Sequence, residues 1–201
     1  TTPEIHYTFE EGTGTTVVNH GSMGTSANAT ITDTNSRMSY ITGKVGTYSL
    51  YRNTRSGGTG FLDFTGINPT HTNGFTFCMW MKYTSGWDNH NIWLGTWYDG
   101  QPSIFVNHVG IYCGGIECMN IADVNANADV WHHYTIVLNC TTTNVGTNQT
   151  YDSTTYYDGI VKGSTTYTYS NAFNGIRLFS ANNQYNSLQG AIDDVRLYNS
   201  V

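Results

Sequence analysis

The stretch Phe75-Thr76-Phe77-Cys78-Met79-Trp80-Met81-Lys82 alternates along its whole length. Phe75, Phe77, Met79 and Met81 share one face, and Thr76, Cys78, Trp80 and Lys82 share the other. A period of two is what a strand with one buried face requires. No window of about a dozen residues keeps the i, i+3, i+4 apolar stripe of an amphipathic helix, because Gly, Thr and Asn clusters interrupt it everywhere. Strands must therefore carry the fold.

Short apolar runs at 5–9, 48–51, 60–64, 91–98, 103–106, 109–113, 132–139, 155–157, 176–179 and 191–198 read as further strands, parted by turn residues. Asp99-Gly100 and Asp158-Gly159 are hairpin-turn dipeptides. About a dozen short strands at near-regular spacing predict an all-β fold, a two-sheet antiparallel jelly-roll β-sandwich, rather than alternating βα units. The three prolines stand outside the apolar runs, as sheet hydrogen bonding demands. With no repeat and no Pro/Ser-rich linker in view, residues 1–201 read as a single domain.

Charge excludes some partners. Eight Lys and Arg against fourteen Asp and Glu give a net charge of −6, and charged residues make up only 11% of the chain. Such a chain offers no basic surface to follow a phosphate backbone, so nucleic acid is not an expected partner. Thr, Asn, Gly and Ser, at 31, 21, 22 and 14 residues, make the surface polar but neutral, while 15 Tyr, 8 Phe and 5 Trp supply a core. No apolar run reaches the ~18 residues of a membrane helix, and membrane insertion is not expected. No signal peptide opens the chain, so Thr1-Thr2-Pro3 reads as a mature or excised N-terminus. Sparse but even Cys usage, three Lys and the sequons at Asn28, Asn139 and Asn148 point to an extracellular, cell-surface or virion-surface setting with glycosylation.

The order of the segments resembles a known family. Tyr7-Thr8-Phe9-Glu10-Glu11-Gly12-Thr13-Gly14, Gly43-Lys44-Val45-Gly46-Thr47-Tyr48-Ser49-Leu50 and the strand from Phe75 come first. Trp131-His132-His133-Tyr134, Tyr157-Asp158-Gly159-Ile160 and Gly190-Ala191-Ile192-Asp193-Asp194-Val195-Arg196-Leu197-Tyr198-Asn199 follow. In that order they resemble the laminin G-like branch of the concanavalin A-like lectin/glucanase superfamily, from Ile5 to Asn199. The family usually runs a few residues past that point, so a chain stopping at Val201 reads as processed or cut from a longer protein. The resemblance implies the jelly roll but spans sugar-binding modules, adhesion domains, sialidase-associated domains and structural repeats.

Glycoside hydrolysis needs two carboxylates facing one cleft. The four Glu (Glu4, Glu10, Glu11, Glu117) form no such motif, and Asp193 and Asp194 are adjacent, pointing to opposite faces of a strand. No Gly-x-Ser-x-Gly elbow is present, so no catalytic residue is assigned. Asp193 shares a strand face with Val195 and Leu197 and is expected to point inward, where its charge must be satisfied. Backbone N–H donors from a loop are one way. The other, implied by calcium-binding members of the family, is a structural Ca²⁺ held by Asp193, Glu10 or Glu11 and Asn19, although Asp would be the better ligand at position 19. His132 and His133 lack zinc spacing and read as strand histidines bonded to backbone. Cys113 and Cys118 are the first choice for a disulfide, leaving Cys78 and Cys140 for each other, or Cys78 as a buried free thiol.

The densest aromatic stretch, 87–100, offers rings to stack on sugar C–H faces and amides and carboxylates for sugar hydroxyls. Trp87, Asp88, Asn89, Trp97, Tyr98 and Asp99 are its candidate carbohydrate-binding residues. Together these features predict a non-catalytic extracellular carbohydrate-binding or adhesion module of a larger surface or secreted protein, with glycans or glycoproteins as partners. The alternative is a structural subunit of a surface filament, appendage or virion, self-associating through its sandwich and itself glycosylated.

Overall fold

The computed structural model describes residues 1–55, 58–66, 74–86, 92–94, 104–106, 110–113, 116–120, 128–141, 149–169, 175–180 and 187–201. Its strands are β1 (Ile5–Tyr7), β2 (Thr16–Val17), β3 (Ala29–Asp33), β4 (Met38–Thr42), β5 (Tyr48–Arg52), β6 (Gly60–Thr65), β7 (Phe75–Gly86) and β8 (Ile92–Leu94). They continue as β9 (Ile104–Val106), β10 (Gly110–Cys113), β11 (Ile116–Asn120), β12 (Trp131–Cys140), β13 (Gln149–Tyr157), β14 (Ile160–Tyr169), β15 (Gly175–Leu178) and β16 (Leu188–Tyr198). One 3₁₀ turn, Gly24–Ala27, interrupts them.

The strands form two antiparallel sheets in a sandwich. The first runs β14-β13-β12-β7-β16-β5-β4, with β1 also on β16; the second runs β11-β10-β9-β8-β15-β6-β3-β2. Strand β16 lies in the middle of the first sheet: β7 takes one edge, and β5 and β1 share the other end to end. The alternation read in β7 holds, with Phe75, Phe77, Met79 and Met81 buried between the sheets. Tyr134, Ile136 and Leu138 of β12 face the core beside them, opposite Met79, Phe77 and Phe75. Leu62, Phe64, Ile176 and Leu178 meet them from the second sheet.

Strands β2, β3, β4, β11 and β14 escape the sequence reading, and β14 shows why. Ile160 and Val161 are exposed and Thr fills the centre, so the strand is held by its ladder to β13 rather than by an apolar stripe. The β13–β14 hairpin turns on Asp158-Gly159 as expected, with φ of 51° and 77° and Tyr157 paired to Ile160. Two successive left-handed residues match the twist of a two-residue hairpin, which is why Asp-Gly is favoured there. The other expected hairpin dipeptide, Asp99-Gly100, lies outside the described residues.

Beside β5, Arg52 is wholly buried. Its guanidinium donates to the carbonyls of Gly60 and Gly58 at 3.0 Å each and to that of Thr54. Burial, followed by repulsion from Arg37, lowers its pKa to about 10, so it remains charged at neutral pH. Replacing it leaves those carbonyls without their donor. Arg52→Met is therefore expected to destabilise the fold by about 3 kcal/mol, read as a lower urea midpoint at unchanged m-value.

Candidate functional site

The outward face of the first sheet is laid out in cross-strand rows. Residues directly opposite on paired strands share a face. Trp131, Lys82 and Ala191 form one row, His133, Trp80 and Asp193 the next, and Thr135, Cys78, Arg196 and His6 the third. Between the first two rows, the loop after β4 and the β13–β14 hairpin, a groove of about 580 Å³ opens, lined by Lys44, Trp80, Trp131, His132, His133, Asp158 and Gly159.

Both tryptophans are half-buried, and each carries a lysine. Lys44 Nζ stands 4.7 Å from the Trp80 ring centroid, and Lys82 Nζ stands 5.3 Å from that of Trp131. Such cation–π contacts fix ring and ammonium together at about 0.5–1 kcal/mol when exposed. His133 meets Trp80 edge to face at 5.1 Å, and its Nδ1 lies 3.3 Å from Thr135 Oγ1. The hairpin is anchored by Asp158, whose carboxylate accepts the His133 N–H at 2.8 Å and lies 2.7 Å from His132 Nδ1. The His132 ring stacks on Tyr157 at 4.6 Å, and its Nε2 is buried. Contrary to the sequence expectation, the partner of His132 is a side chain rather than backbone, because the tight turn swings Asp158 back over the start of β12. Asp158 is the one carboxylate lining this groove among the described residues.

Asp193 is placed differently from the expected inward position. The register slips between Asp193 and Arg196, with Asp194 in the left-handed region at φ 49°. This bulge puts Asp193 opposite Trp80 on the outward face, under the loop after β4. There Oδ2 accepts the N–H groups of Lys44 and Val45 at 2.7 and 2.9 Å, and Oδ1 accepts that of Asp194 at 2.8 Å. Burial outweighs these bonds and holds its carboxyl above the usual aspartate range. Asp193 thus fixes the loop that presents Lys44. Asp194 meets His6 Nε2 at 2.8 Å and Arg196 Nε at 3.0 Å.

The residues named for calcium have other duties. Glu10 accepts the N–H groups of Tyr48 and Thr47, which hold its carboxyl below the usual range. Glu11 Oε1 accepts the Val18 N–H, and Asn19 Oδ1 accepts those of His6 and Gly21. Asn19 Nδ2 donates to the Glu4 and Gly24 carbonyls. The bonded oxygens point at separate backbone segments, Glu11 Oε2 alone of the set is buried with no hydrogen-bond partner, and among the described residues no three His, Cys, Asp or Glu side chains gather as a cation site. The donor set therefore does not fit a bound Ca²⁺, and no role is derived for one.

The six carbohydrate-binding candidates Trp87, Asp88, Asn89, Trp97, Tyr98 and Asp99 lie outside the described residues, as does the sequon at Asn148. Asn139 is exposed on β12, while the Asn28 Oδ1 accepts the Asn19 N–H. Cys78 is a free thiol and is not paired with Cys140. Cys78 stands opposite Thr135, five residues along β12 from Cys140. That is about 17 Å of strand, against the ~7 Å limit between the Cα atoms of a disulfide. The Cys113 side chain lies outside the described residues, so its pairing with Cys118 stays an expectation. The groove residues Trp80, Trp131 and Lys44, and Lys82 over the Trp131 ring, are not singled out by the sequence pattern, although alternation in β7 already turns Trp80 and Lys82 away from the core.

Two outcomes follow from this geometry. Asp193→Asn sets an amide N–H against backbone donors, and is expected to cost about 2–4 kcal/mol in urea unfolding. His133 is held below its ordinary pKa of 6.5 chiefly by burial, which outweighs attraction from Asp194 and Asp158. The unfolded chain therefore takes up this proton first as pH falls. The stability contribution of neutral His133 is complete above about pH 6.5 and is lost as pH drops through that value towards the lower folded pKa. Urea midpoints at pH 7.5 and 5.5 should differ less in His133→Gln than in the parent protein.

Comparison with known proteins bears on the fold that carries this groove. No curated protein matches the chain. Among solved structures, the binding domain of botulinum neurotoxin DC in complex with SialylT superposes over 99% of this chain with a TM-score of 0.54 and 13% identity. The chain covers 48% of that structure, about half its length. Alginate lyase vAL-1 from Chlorella virus matches over 87% of this chain and 93% of its own, at TM-score 0.46 and 15% identity. The Emp47p carbohydrate recognition domain matches over 85% and 91%, at 0.42 and 10%. At 13% identity the likeness to the toxin binding domain is one of fold. A laminin G family described as Concanavalin A-like lectin/glucanases superfamily matches residues 55–201, which include every groove residue except Lys44, and the chain therefore belongs to that superfamily.

Proposed function

We propose that this protein is a non-catalytic carbohydrate-binding module of extracellular or cell-surface setting, and that it binds glycan in the groove between Trp80 and Trp131. The observation that carries the reading is the pairing of two half-buried indoles with polar groups in one open groove. Indoles stack on sugar C–H groups, while Lys44, His133 and Asp158 of the lining offer donors and acceptors to hydroxyls. The surroundings support it. Val45, Val130 and Ile160 are large exposed apolar residues, 43%, 51% and 62% accessible, and each adjoins a groove residue in sequence. The superfamily, and a fold shared with a toxin binding domain in complex with SialylT, favour the same reading.

The test is a glycan array followed by calorimetry on the purified chain. Trp80→Ala and Trp131→Ala are each expected to weaken binding at least about tenfold, some 1.4 kcal/mol, without changing the unfolding midpoint by more than the loss of a half-buried side chain. The sugar should be recovered intact. Retained affinity in both variants, or cleavage of the sugar, would sink the proposal.

A further inference from the structure

The chain has three lysines and a net charge of −6, yet two of the three stand over the two indoles of this one groove: Lys44 lines it over Trp80, and Lys82 lies over the ring of Trp131. Neither ammonium makes an ion pair among the described residues; their partners are the Trp80 and Trp131 rings. The nearby carboxylates are engaged elsewhere. Asp158 is met by His132 and the His133 N–H, and Asp193 by three backbone N–H groups. Asp193 also sets the Lys44 backbone, so the position of that lysine is built into the sheet rather than left to a free loop.

Two ammonium groups with no ion pair among the described residues make a local positive spot on a negative protein, which draws anions there while the rest of the surface repels them. Each ammonium stands over its indole ring and keeps N–H donors to offer a ligand there, and an ammonium bound to a carboxylate or sulfate makes a charge-assisted hydrogen bond that a neutral hydroxyl does not. We infer that the groove selects anionic saccharides, with Lys44 and Lys82 as the specificity-determining residues holding the acidic group beside Trp80 and Trp131. This rests on the glycan-binding reading and narrows it to a ligand class.

Calorimetry can separate the two claims, using a galacturonic acid hexamer for carboxylate, a chondroitin sulfate hexasaccharide for sulfate and maltohexaose as the neutral sugar. At least one acidic sugar is expected to bind about tenfold or more tighter than the neutral one, with affinity falling as NaCl rises. Lys44→Gln and Lys82→Gln should each cost about three- to tenfold on the acidic sugar and leave the neutral one unchanged. Lys162→Gln, exposed on β14 and not among the groove-lining residues, should change neither. Which acidic arm binds identifies the anion. Equal affinity for neutral and acidic sugars, or a Lys44→Gln/Lys82→Gln double variant that binds acidic sugar like the parent, overturns the anionic selectivity while glycan binding stands. Absence of binding to every sugar in both these measurements and the array overturns both claims.

Discussion

A carboxylate sealed beneath a loop organises the outward face of this sandwich. Asp193 is fully buried, a position in which an ionised group survives only if donors surround it. Three backbone N–H groups do so, two from the loop after β4 and one from its own strand. The loop cannot lift without stripping those donors from the charge, and the strand cannot straighten without turning the charge into the apolar core. Bulge, loop and the lysine above Trp80 therefore form one arrangement.

The same bulge marks the limit of what sequence pattern reveals. In β7, strict alternation from Phe75 to Lys82 assigns both faces correctly, because nothing interrupts the period of two. In β16 the identical rule puts Asp193 with Val195 and Leu197, and fails because one extra residue between Asp193 and Arg196 shifts the phase. A bulge of this kind depends on what lies across the sheet, which local composition does not record. Strand β14 was missed for a different reason: with Ile160 and Val161 exposed, it has no apolar stripe to read.

The groove divides along the same line. Trp80 and Lys82 were legible as outward residues, and Trp131 stood plainly before His132 and His133. That Lys44 ends over Trp80 is a tertiary fact, joining residues distant in sequence through the Asp193 anchor. Aromatic residues are densest at 87–100 instead, yet spacing along a chain says little about which rings share a surface. The low charge count has a related meaning. On a surface made neutral by Thr, Asn, Ser and Gly, a pair of lysines is not lost among competing charges, so few groups suffice to set a local potential.

The central place of β16 governs how such a chain reaches its fold. Phe77 of β7 waits for Leu197, Leu50 of β5 for Ile192 and Ile5 of β1 for the same Leu197. Until β16 is delivered, β7 and β5 are unpaired edges with apolar faces, and the ordering entropy of closing long loops precedes any reward from the sheet. Folding should therefore be slow and all-or-none in the first sheet. Any nick or truncation within β16 splits that sheet down its middle rather than trimming its rim, leaving adhesive strand edges on both halves.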